Sequence, residues 1–301
     1  MSARLSSGDT STLAEMHAIT SGLKVLVTTT GAQDIEVARR CLGGHGYSAF
    51  AGLGRLYADY VASTTYVIHP HRVSSRPLIG SASYEGDNFV LDQQVVRAAL
   101  KSFTTLFSQP NPSSSGLSPS TYYLRLLVDP AARPPTLSTT VWSDVAVLVQ
   151  LLEWRAACIV QELARNPDAG DASVNQRVSK AVTEAFIATQ VAELIASLSL
   201  PSAEREIVAD VYRLVSLHWP ECARSPSIDF LSFFFQYLLT TIEVALVDLL
   251  SFRLFIVPSE PGFMDPTCSL RLSILDLCKK ILPNAIGLSD AFGFTDWELD
   301  R

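Results

Sequence analysis

Apolar residues return every three or four positions over most of this chain, which is the spacing of one face of an α-helix. Segments with this pattern predict helices at about 13–42, 89–107, 141–166, 172–198, 203–218 and 269–282. The alternation of apolar and polar positions that indicates a strand is scarce. We therefore expect an all-α protein, in which a helical bundle is followed by a second helical domain.

The first two predicted helices have recognisable ends. Gly43 and Gly44 follow the first helix, and glycine after a helix allows the left-handed conformation that ends it. Asp87 or Asn88 is the expected N-cap of the second helix. The weak helix formers of residues 28–31 leave open a kink or break of the first helix near Gly31.

Two proline-containing stretches divide the chain. Residues 109–120 are rich in proline and serine and predict a linker, and residues 129–140 predict a second loop. We therefore expect a first domain at 1–108, linker and loops at 109–140, and a second helical domain at 141–301.

The most apolar tract is 230–257. Glu243, Asp248 and Arg253 interrupt it, whereas a membrane span needs about 18 or more residues with few charges. The tract therefore predicts a buried helix or helix pair, and we expect no membrane span.

Composition narrows the function classes. The net charge is -7 and no run of Lys or Arg is present, which argues against binding of nucleic acid or of an anionic membrane surface. Five cysteines without a C-x-x-C pair predict reduced thiols in an intracellular compartment, most of them in the core. His69 and His71 lack nearby carboxylate or cysteine partners in the sequence, so we expect no metal site.

A glycine turn, Gly43-Gly44-His45-Gly46, follows the first helix directly. Such a turn lets the backbone approach a bulky anionic group, because no Cβ intervenes and the amides can point outward. The alternative is a simple helix cap in which His45 is hydrogen-bonded locally. A Rossmann fingerprint is excluded, because no strand is readable before the turn.

A second motif, Tyr84-Glu85-Gly86-Asp87-Asn88, places a carboxylate in a glycine turn before a helix. In a water-poor pocket the pKa of a carboxylate rises toward the operating pH, which suits removal of a proton next to a carbonyl. On its own, a glutamate before glycine is more often a solvated turn residue.

These two motifs resemble landmarks of the acyl-CoA oxidases, flavoenzymes related to the acyl-CoA dehydrogenases. The segments Met16-His17-Ala18, Ser21-Gly22-Leu23-Lys24 and Ile35-Glu36-x-x-Arg39 also fall in the order and spacing of that family. By this resemblance Glu85 is the catalytic base, and the residues near FAD are Gly43, Gly44, His45, Gly46 and Asn88. In the family the glycine turn reaches the flavin of the neighbouring subunit, which implies a homodimer.

The resemblance also implies an activity. An acyl-CoA oxidase converts a fatty acyl-CoA to the trans-2-enoyl-CoA in fatty acid β-oxidation, and O2 is reduced to H2O2. Residues 1–108 would then be the C-terminal part of the flavin-binding helical domain. The family implies a peroxisomal location, although the C-terminal Leu299-Asp300-Arg301 is not a peroxisomal address of the Ser-Lys-Leu type.

The chain departs from the family pattern in two respects. The segment Tyr66–Ser83 has no counterpart, and either translated non-coding sequence or a lineage-specific loop accounts for it. The chain also begins where the later helices of the flavin domain begin, so a second hypothesis is a non-catalytic helical module that dimerises or docks on a full-length relative. An acyl-CoA dehydrogenase is a third, although the long helical region after the linker favours an oxidase.

Overall fold

The computed structural model describes residues 12–64, 86–135, 141–167, 170–199, 201–214 and 266–284, together with positions 242, 245, 248, 249, 251, 252, 286 and 287. Their secondary structure is helical and includes no strand, which confirms the all-α class. No helix in this part of the chain has the length and apolar character needed to cross a membrane.

The α-helices of the described residues are α1 (Leu13–Cys41), α2 (Leu53–Val61), α3 (Asn88–Phe107), α4 (Arg125–Val128), α5 (Val145–Arg165), α6 (Ala172–Ser197), α7 (Ser202–Leu214) and α8 (Pro266–Ile281). Short 3-10 helices lie at Gly43–Tyr47, Ala49–Ala51, Ala62–Thr64, Pro119–Leu124, Val141–Ser143 and Leu282–Asn284. The six helices expected from apolar spacing are all present. Their described ends lie within a few residues of the expected ones, and residues 215–218 of the expected helix 203–218 lie outside the described residues.

Helix α1 runs unbroken past Gly31. The Thr28 hydroxyl donates to the Lys24 carbonyl oxygen one turn back at 2.8 Å, so the threonine is accommodated inside the helix. A Cβ on Gly31 would overlap the Tyr60 side chain of α2. This glycine therefore allows two helices to pack closely, and of the kink or break left open there, the break does not occur.

The described residues form two compact units. The first takes the positions up to Pro112 together with Val160–Thr183, and the second takes Ser113–Ile159 with the described positions from Glu184 onward. The sequence-based domains at 1–108 and 141–301 stay a prediction.

In the first unit, α1 packs against both α2 and α3. Its core is formed by apolar side chains of α1 and α3 and of the segments of α5 and α6 that belong to this unit, among them Ile35, Val95, Val96, Ala99, Val160 and Val178. A Cβ on Gly22 of α1 would overlap Thr183 of α6. The backbone of α1 therefore lies directly against a side chain of α6.

The second unit combines a large apolar core with buried ion pairs. The core is formed by side chains including Leu124, Leu148, Leu151, Leu152, Ala188 and Val191. Arg155 bonds both Glu184 and Asp248. The indole nitrogen of Trp142 donates to the Ser269 hydroxyl of α8 at 3.0 Å, which fastens α8 to the segment before α5.

Two further sequence expectations concern single positions. Ile242, Ala245 and Leu249 are fully buried at helical spacing, as expected of a buried helix, whereas the rest of 230–257 lies largely outside the described residues. Cys41 and Cys268 are exposed, because they sit at the end of α1 and in the first turn of α8. Cys158 and Cys278 are half-buried, so the expectation that most cysteines lie in the core is wrong for the four that the structure describes.

Candidate functional site

The glycine turn is a 3-10 helix, Gly43–Tyr47, that begins where α1 ends. Gly43 has a φ of +58°, in the left-handed region that a residue with a Cβ avoids. Gly46 is buried, and a Cβ there would overlap the carbonyl oxygen of Arg39. The predicted helix stop is thus confirmed at Gly43, and Gly46 is needed where the turn folds back on α1.

The outer side of the same turn is open. A Cβ added to Gly43 or Gly44 would meet nothing within 4 Å, and Gly43, Gly44 and His45 are all exposed. Backbone without side chains is therefore accessible to a bulky partner. This accessible surface fits the approach of a flavin cofactor that the resemblance implies, and the cofactor contact stays a prediction.

Charged and aromatic side chains hold the turn against the end of α1. The Arg39 guanidinium stacks over the Tyr47 ring at 4.3 Å, an attractive arrangement of a cation and a π face. Glu36 accepts hydrogen bonds from Arg39 at 2.7 and 2.9 Å and from Arg40 at 2.9 Å. These bonds from Arg39 and then Arg40 lower the pKa of Glu36, because they favour its ionised form.

The second motif is described from Gly86 onward, and Glu85 lies outside the described residues. Gly86 has a φ of +99°, so only glycine adopts this conformation without strain. The Asp87 carboxylate accepts from the Phe89 amide at 2.8 Å and is the N-cap of α3. Glu85 is therefore joined directly to a sharp turn at the start of a capped helix.

The ammonium of Lys24, in the middle of α1, binds this turn. Its Nζ donates to the Gly86 carbonyl oxygen at 2.8 Å, to Asn88 Oδ1 at 2.6 Å and to the Thr64 carbonyl oxygen at 3.4 Å. Burial lowers the pKa of Lys24, and the nearby Asp87 carboxylate opposes this effect, because burial penalises the charged form whereas a negative charge favours it.

The amide of Asn88 is engaged within the chain. Its Nδ2 donates to the Thr28 hydroxyl at 3.0 Å and to the Thr29 hydroxyl at 3.1 Å, and its Oδ1 accepts from Lys24. An asparagine amide has two N–H donors, and both have protein acceptors here. The Thr28 hydroxyl also lies 3.4 Å from Oδ1. Contact between Asn88 and a cofactor remains a prediction.

The two parts of the candidate site are far apart within one chain. Lys24 and Cys41 both belong to α1, and the residues between them span about 25 Å along its axis at the rise of an α-helix. The structure thus groups Gly43, Gly44, His45 and Gly46 at one end of α1, and Gly86 with Asn88 beside its middle. It does not bring these two sets into direct contact.

The sequence motifs predict no role for Lys24, Thr28 or Arg39. The available signal was spacing: Lys24 and Thr28 are four residues apart in a helix and share a face, and that face also carries buried residues of α1. A lysine on such a face needs acceptors. Which acceptors it finds depends on a contact 62 residues away in the chain, and spacing does not reveal that contact.

Comparison with known proteins gives a consistent result. The family model described as "Acyl-CoA oxidase, C-alpha1 domain" matches residues 1–67, and the one described as "Acyl-CoA oxidase" matches residues 144–300. The chain is 28% identical over 303 residues to peroxisomal acyl-coenzyme A oxidase 1 of Arabidopsis thaliana, an alignment that covers 99% of this chain and 38% of that protein. It is 29% identical over 300 residues to peroxisomal acyl-coenzyme A oxidase 2 of Rattus norvegicus, covering 96% and 37%.

Solved structures show the same fold. Arabidopsis thaliana acyl-CoA oxidase 1 matches with a TM-score of 0.70 and 25% identity over 98% of this chain and 39% of that one. Acyl-CoA oxidase-2 of Caenorhabditis elegans, solved with FAD, ascaroside-CoA and ATP, matches with a TM-score of 0.67 and 20% identity over 98% and 38%. The chain thus spans less than two fifths of the length of these relatives. On the family match over more than half of its residues, the chain belongs to the acyl-CoA oxidase family.

Proposed function

We propose that this chain supplies the C-terminal helical part of an FAD-dependent acyl-CoA oxidase, which converts a fatty acyl-CoA to its trans-2-enoyl-CoA and reduces O2 to H2O2. The observation that carries the proposal is the turn at Gly86, which has a positive φ, is capped by Asp87 and is bound by Lys24. Glu85 directly precedes this turn in the sequence, and a catalytic base benefits from a fixed backbone beside it. Membership of the oxidase family supports the same assignment.

Glu85 is the proposed base. Its carboxylate takes the proton next to the thioester carbonyl while hydride leaves the neighbouring carbon, so the substrate loses two hydrogens and gains a double bond. FAD, when bound, supplies the hydride acceptor and passes two electrons to O2, which takes up two protons to give H2O2.

The glycine turn is the proposed cofactor contact. Gly43 and Gly44 leave open backbone at an exposed surface, while Arg39 and Tyr47 hold that backbone in place. The glycine turn and Lys24 are separated by about 25 Å along α1. This separation supports a homodimer, in which the glycine turn of one copy contacts the cofactor that lies beside the base of the other. The peroxisomal names of relatives support a peroxisomal location.

A second candidate function is a non-catalytic helical module that docks on a full-length relative. The observation that favours it is the exposed apolar surface of Leu42, Tyr47 and Phe50 beside the glycine turn, which suits contact with another protein chain. Such a module would keep the fold and the helix contacts without turnover.

Purified protein distinguishes the two candidates. An oxidase retains flavin absorbance and releases peroxide when palmitoyl-CoA is added, and Glu85→Gln lowers that rate by about 10²–10⁴-fold, the usual loss when a general base is removed. Glu193→Gln, at an exposed position of α6, is the matched control and keeps the wild-type rate. A colourless protein that releases no peroxide supports the docking module, and dye reduction without oxygen consumption supports a dehydrogenase.

A further inference from the structure

The three hydrogens of the Lys24 ammonium have three acceptors. Two are backbone carbonyl oxygens, of Gly86 at 2.8 Å and Thr64 at 3.4 Å, and the third is Asn88 Oδ1 at 2.6 Å. An ammonium has three N–H donors and no acceptor, so its hydrogen-bonding capacity is filled by this arrangement.

The two carbonyl groups hold special places in the chain. Thr64 ends the 3-10 helix Ala62–Thr64, and Gly86 precedes α3. Along the sequence they bracket residues 65–85, which include Glu85 and the segment Tyr66–Ser83 without a family counterpart. One nitrogen atom of α1 therefore binds the chain on both sides of that segment.

The acceptor side of the cluster is itself held in place. The Asn88 amide donates to the Thr28 and Thr29 hydroxyls, and the Thr28 hydroxyl donates to the Lys24 carbonyl oxygen. Lys24, Thr28 and Asn88 thus form a closed set of bonds between α1 and the first turn of α3. A hydrogen bond to a charged group is stronger than one between neutral groups, so the ammonium is the dominant member of this set.

We propose that Lys24 is a positioning residue, whose ammonium fastens the Gly86–Asn88 turn to α1 and thereby fixes the backbone that directly follows Glu85 in the sequence. Because the same nitrogen also bonds the Thr64 carbonyl oxygen, Thr64 and Gly86 are both held at one point of α1. The catalytic consequence rests on the proposed function, whereas the fastening of the turn does not.

Hydrogen exchange tests the fastening directly. The amides of Val90 and Leu91 bond the Asp87 carbonyl oxygen, and that of Phe89 bonds the Asp87 side chain, so their exchange rates report on the turn. Lys24→Met keeps the length of the side chain and removes the ammonium, and we expect exchange at these amides to become about tenfold faster, as for a locally loosened segment. Lys101→Met, at an exposed position of α3, is the control and leaves them unchanged.

Lys24→Arg is an intermediate variant for the same hydrogen-exchange measurement. Its guanidinium keeps the charge, but a planar fork cannot direct donors to the same three acceptors as a tetrahedral ammonium. We expect exchange rates between those of the wild type and Lys24→Met. Wild-type rates in Lys24→Met would overturn the proposal, and if that variant does not fold, wild-type rates in Lys24→Arg overturn it equally.

Steady-state kinetics distinguish a positioning role from a purely structural one, because only a positioning role predicts a change in kcat without a change in KM. In an active preparation, Lys24→Met lowers kcat for peroxide release while the KM for acyl-CoA stays within about twofold, because the proton transfer and not substrate binding is affected, and Lys24→Arg recovers part of the rate. Equal losses in Lys24→Met and Lys24→Arg would contradict positioning. A wild-type protein without turnover rejects the proposed function, and hydrogen exchange still decides the fastening.

A deletion tests whether Lys24 is a common anchor point, by which we mean that its Nζ holds both Thr64 and Gly86. Removal of Tyr66–Ser83 joins Thr65 to Tyr84, and because Thr64 and Gly86 already meet at one nitrogen, we expect the protection of the Phe89, Val90 and Leu91 amides to persist. Combined with Lys24→Met, the deletion should lose that protection. Loss of protection in the deletion alone would overturn the common anchor point.

Discussion

Individual residues of the glycine turn meet different physical demands. Gly43 is required by its φ of +58°, Gly46 by the carbonyl oxygen of Arg39 against which it lies, and Gly44 by neither, since a Cβ there meets nothing within 4 Å. All three are glycines in the sequence. Only the fold shows that Gly43 has a conformational role, that Gly46 has a packing role and that Gly44 lies at an open surface.

The contrast gives a paired substitution. Gly46→Ala should destabilise the protein by about 1–3 kcal/mol or more, the usual cost of overpacking, because its Cβ would overlap backbone that cannot rotate away. Gly44→Ala, the matched control, should stay within about 0.5 kcal/mol, as surface substitutions do. Thermal and urea unfolding followed by circular dichroism measure both, and equal stabilities of the two variants would contradict the packing role.

Asp92 is a carboxylic acid buried in α3, with 5% of its surface exposed. Its Oδ1 has no hydrogen-bond partner among the described residues. Burial raises the pKa of Asp92, the Ser179 hydroxyl opposes this effect, and the negative charge of Asp87 adds to it. A raised pKa means that folding favours the protonated form.

The sign of the pH effect follows from this shift. Because the pKa of Asp92 is higher in the folded than in the unfolded chain, its contribution to stability is complete below the ordinary pKa of aspartate and is lost as the pH rises through the folded value. Asp92→Asn should therefore raise the melting temperature at neutral pH, and the gain should shrink toward pH values below the ordinary pKa. Asp59→Asn, at an exposed position of α2, is the control, and its melting temperature should differ from that of the wild type by nearly zero at every pH. A gain for Asp92→Asn that grows on acidification would refute this assignment.

Residue-level sequence reasoning succeeded where the determining interaction is local. The Asp87 cap and the Gly43 stop depend on atoms within a few residues, so their residue types predict them. The three bonds of Lys24 join it to residues 40 to 64 positions away, and no local pattern encodes such partners. Glu85 and its cofactor remain predictions from resemblance.

At the scale of elements, helix bounds followed the apolar spacing because each helix buries one face. The sequence left one helix end open, because intrinsic propensity disfavours Thr28 to Gly31 in a helix and a kink or break near Gly31 could follow. Packing decided otherwise, since Tyr60 fills the space beside Gly31 and donates to the Val27 carbonyl oxygen at 3.4 Å. A tertiary contact therefore outweighed an unfavourable helix propensity of up to about 0.7 kcal/mol for each threonine and about 1 kcal/mol for the glycine.

The elements of the second unit are joined by a bidentate ion pair. Arg125, at the start of α4, donates to both carboxylate oxygens of Glu153 in α5 at 2.6 and 2.7 Å. The Glu153 side chain is 4% exposed and that of Arg125 is 26% exposed. The carboxylate thus depends on the guanidinium for compensation of its charge.

Loss of one partner should cost more than loss of both. Arg125→Met leaves a buried carboxylate without its cation, and we expect a destabilisation of about 2–3 kcal/mol, below the range for fully buried pairs because Arg125 is partly solvated. The double variant Arg125→Met/Glu153→Met should recover much of this loss. A double-mutant cycle from chemical denaturation measures the coupling, and additive losses would show that the pair is not coupled.

At the scale of the whole molecule, the chain matches 38% of the length of the Arabidopsis thaliana relative. Several large apolar side chains near the glycine turn are exposed in the chain by itself: Leu42, Tyr47 and, completely, Phe50. An exposed apolar cluster commonly marks a surface for another protein segment. The proposed homodimer places this surface at a subunit contact.

Phe50 offers a test that separates folding from association. Phe50→Ser removes no buried area within the chain, so its free energy of unfolding at low concentration should equal that of the wild type within about 0.5 kcal/mol, as for other surface substitutions. Sedimentation velocity should show weaker self-association. Val37→Ser, at an exposed position of α1, serves as the comparison, and a large drop in melting temperature for Phe50→Ser would show that its ring is buried within the folded chain.

The all-α class was predictable for the whole molecule because it depends only on periodicity. The composition of the two units was not, since the first includes Val160–Thr183 from the middle of the chain. Assignment of those residues needs the packing of Gly22 against Thr183, a contact between residues that neither sequence spacing nor composition pairs.

The meeting of Thr64 and Gly86 at a single nitrogen has an evolutionary consequence. When two points of a chain are already held together, lengthening the stretch between them adds only loop entropy, and a doubling of length costs about 0.6 kcal/mol. For a flexible loop between two such points, codons gained or lost are thus nearly neutral for folding. Selection can therefore tolerate a gene that varies in length immediately upstream of its proposed catalytic glutamate.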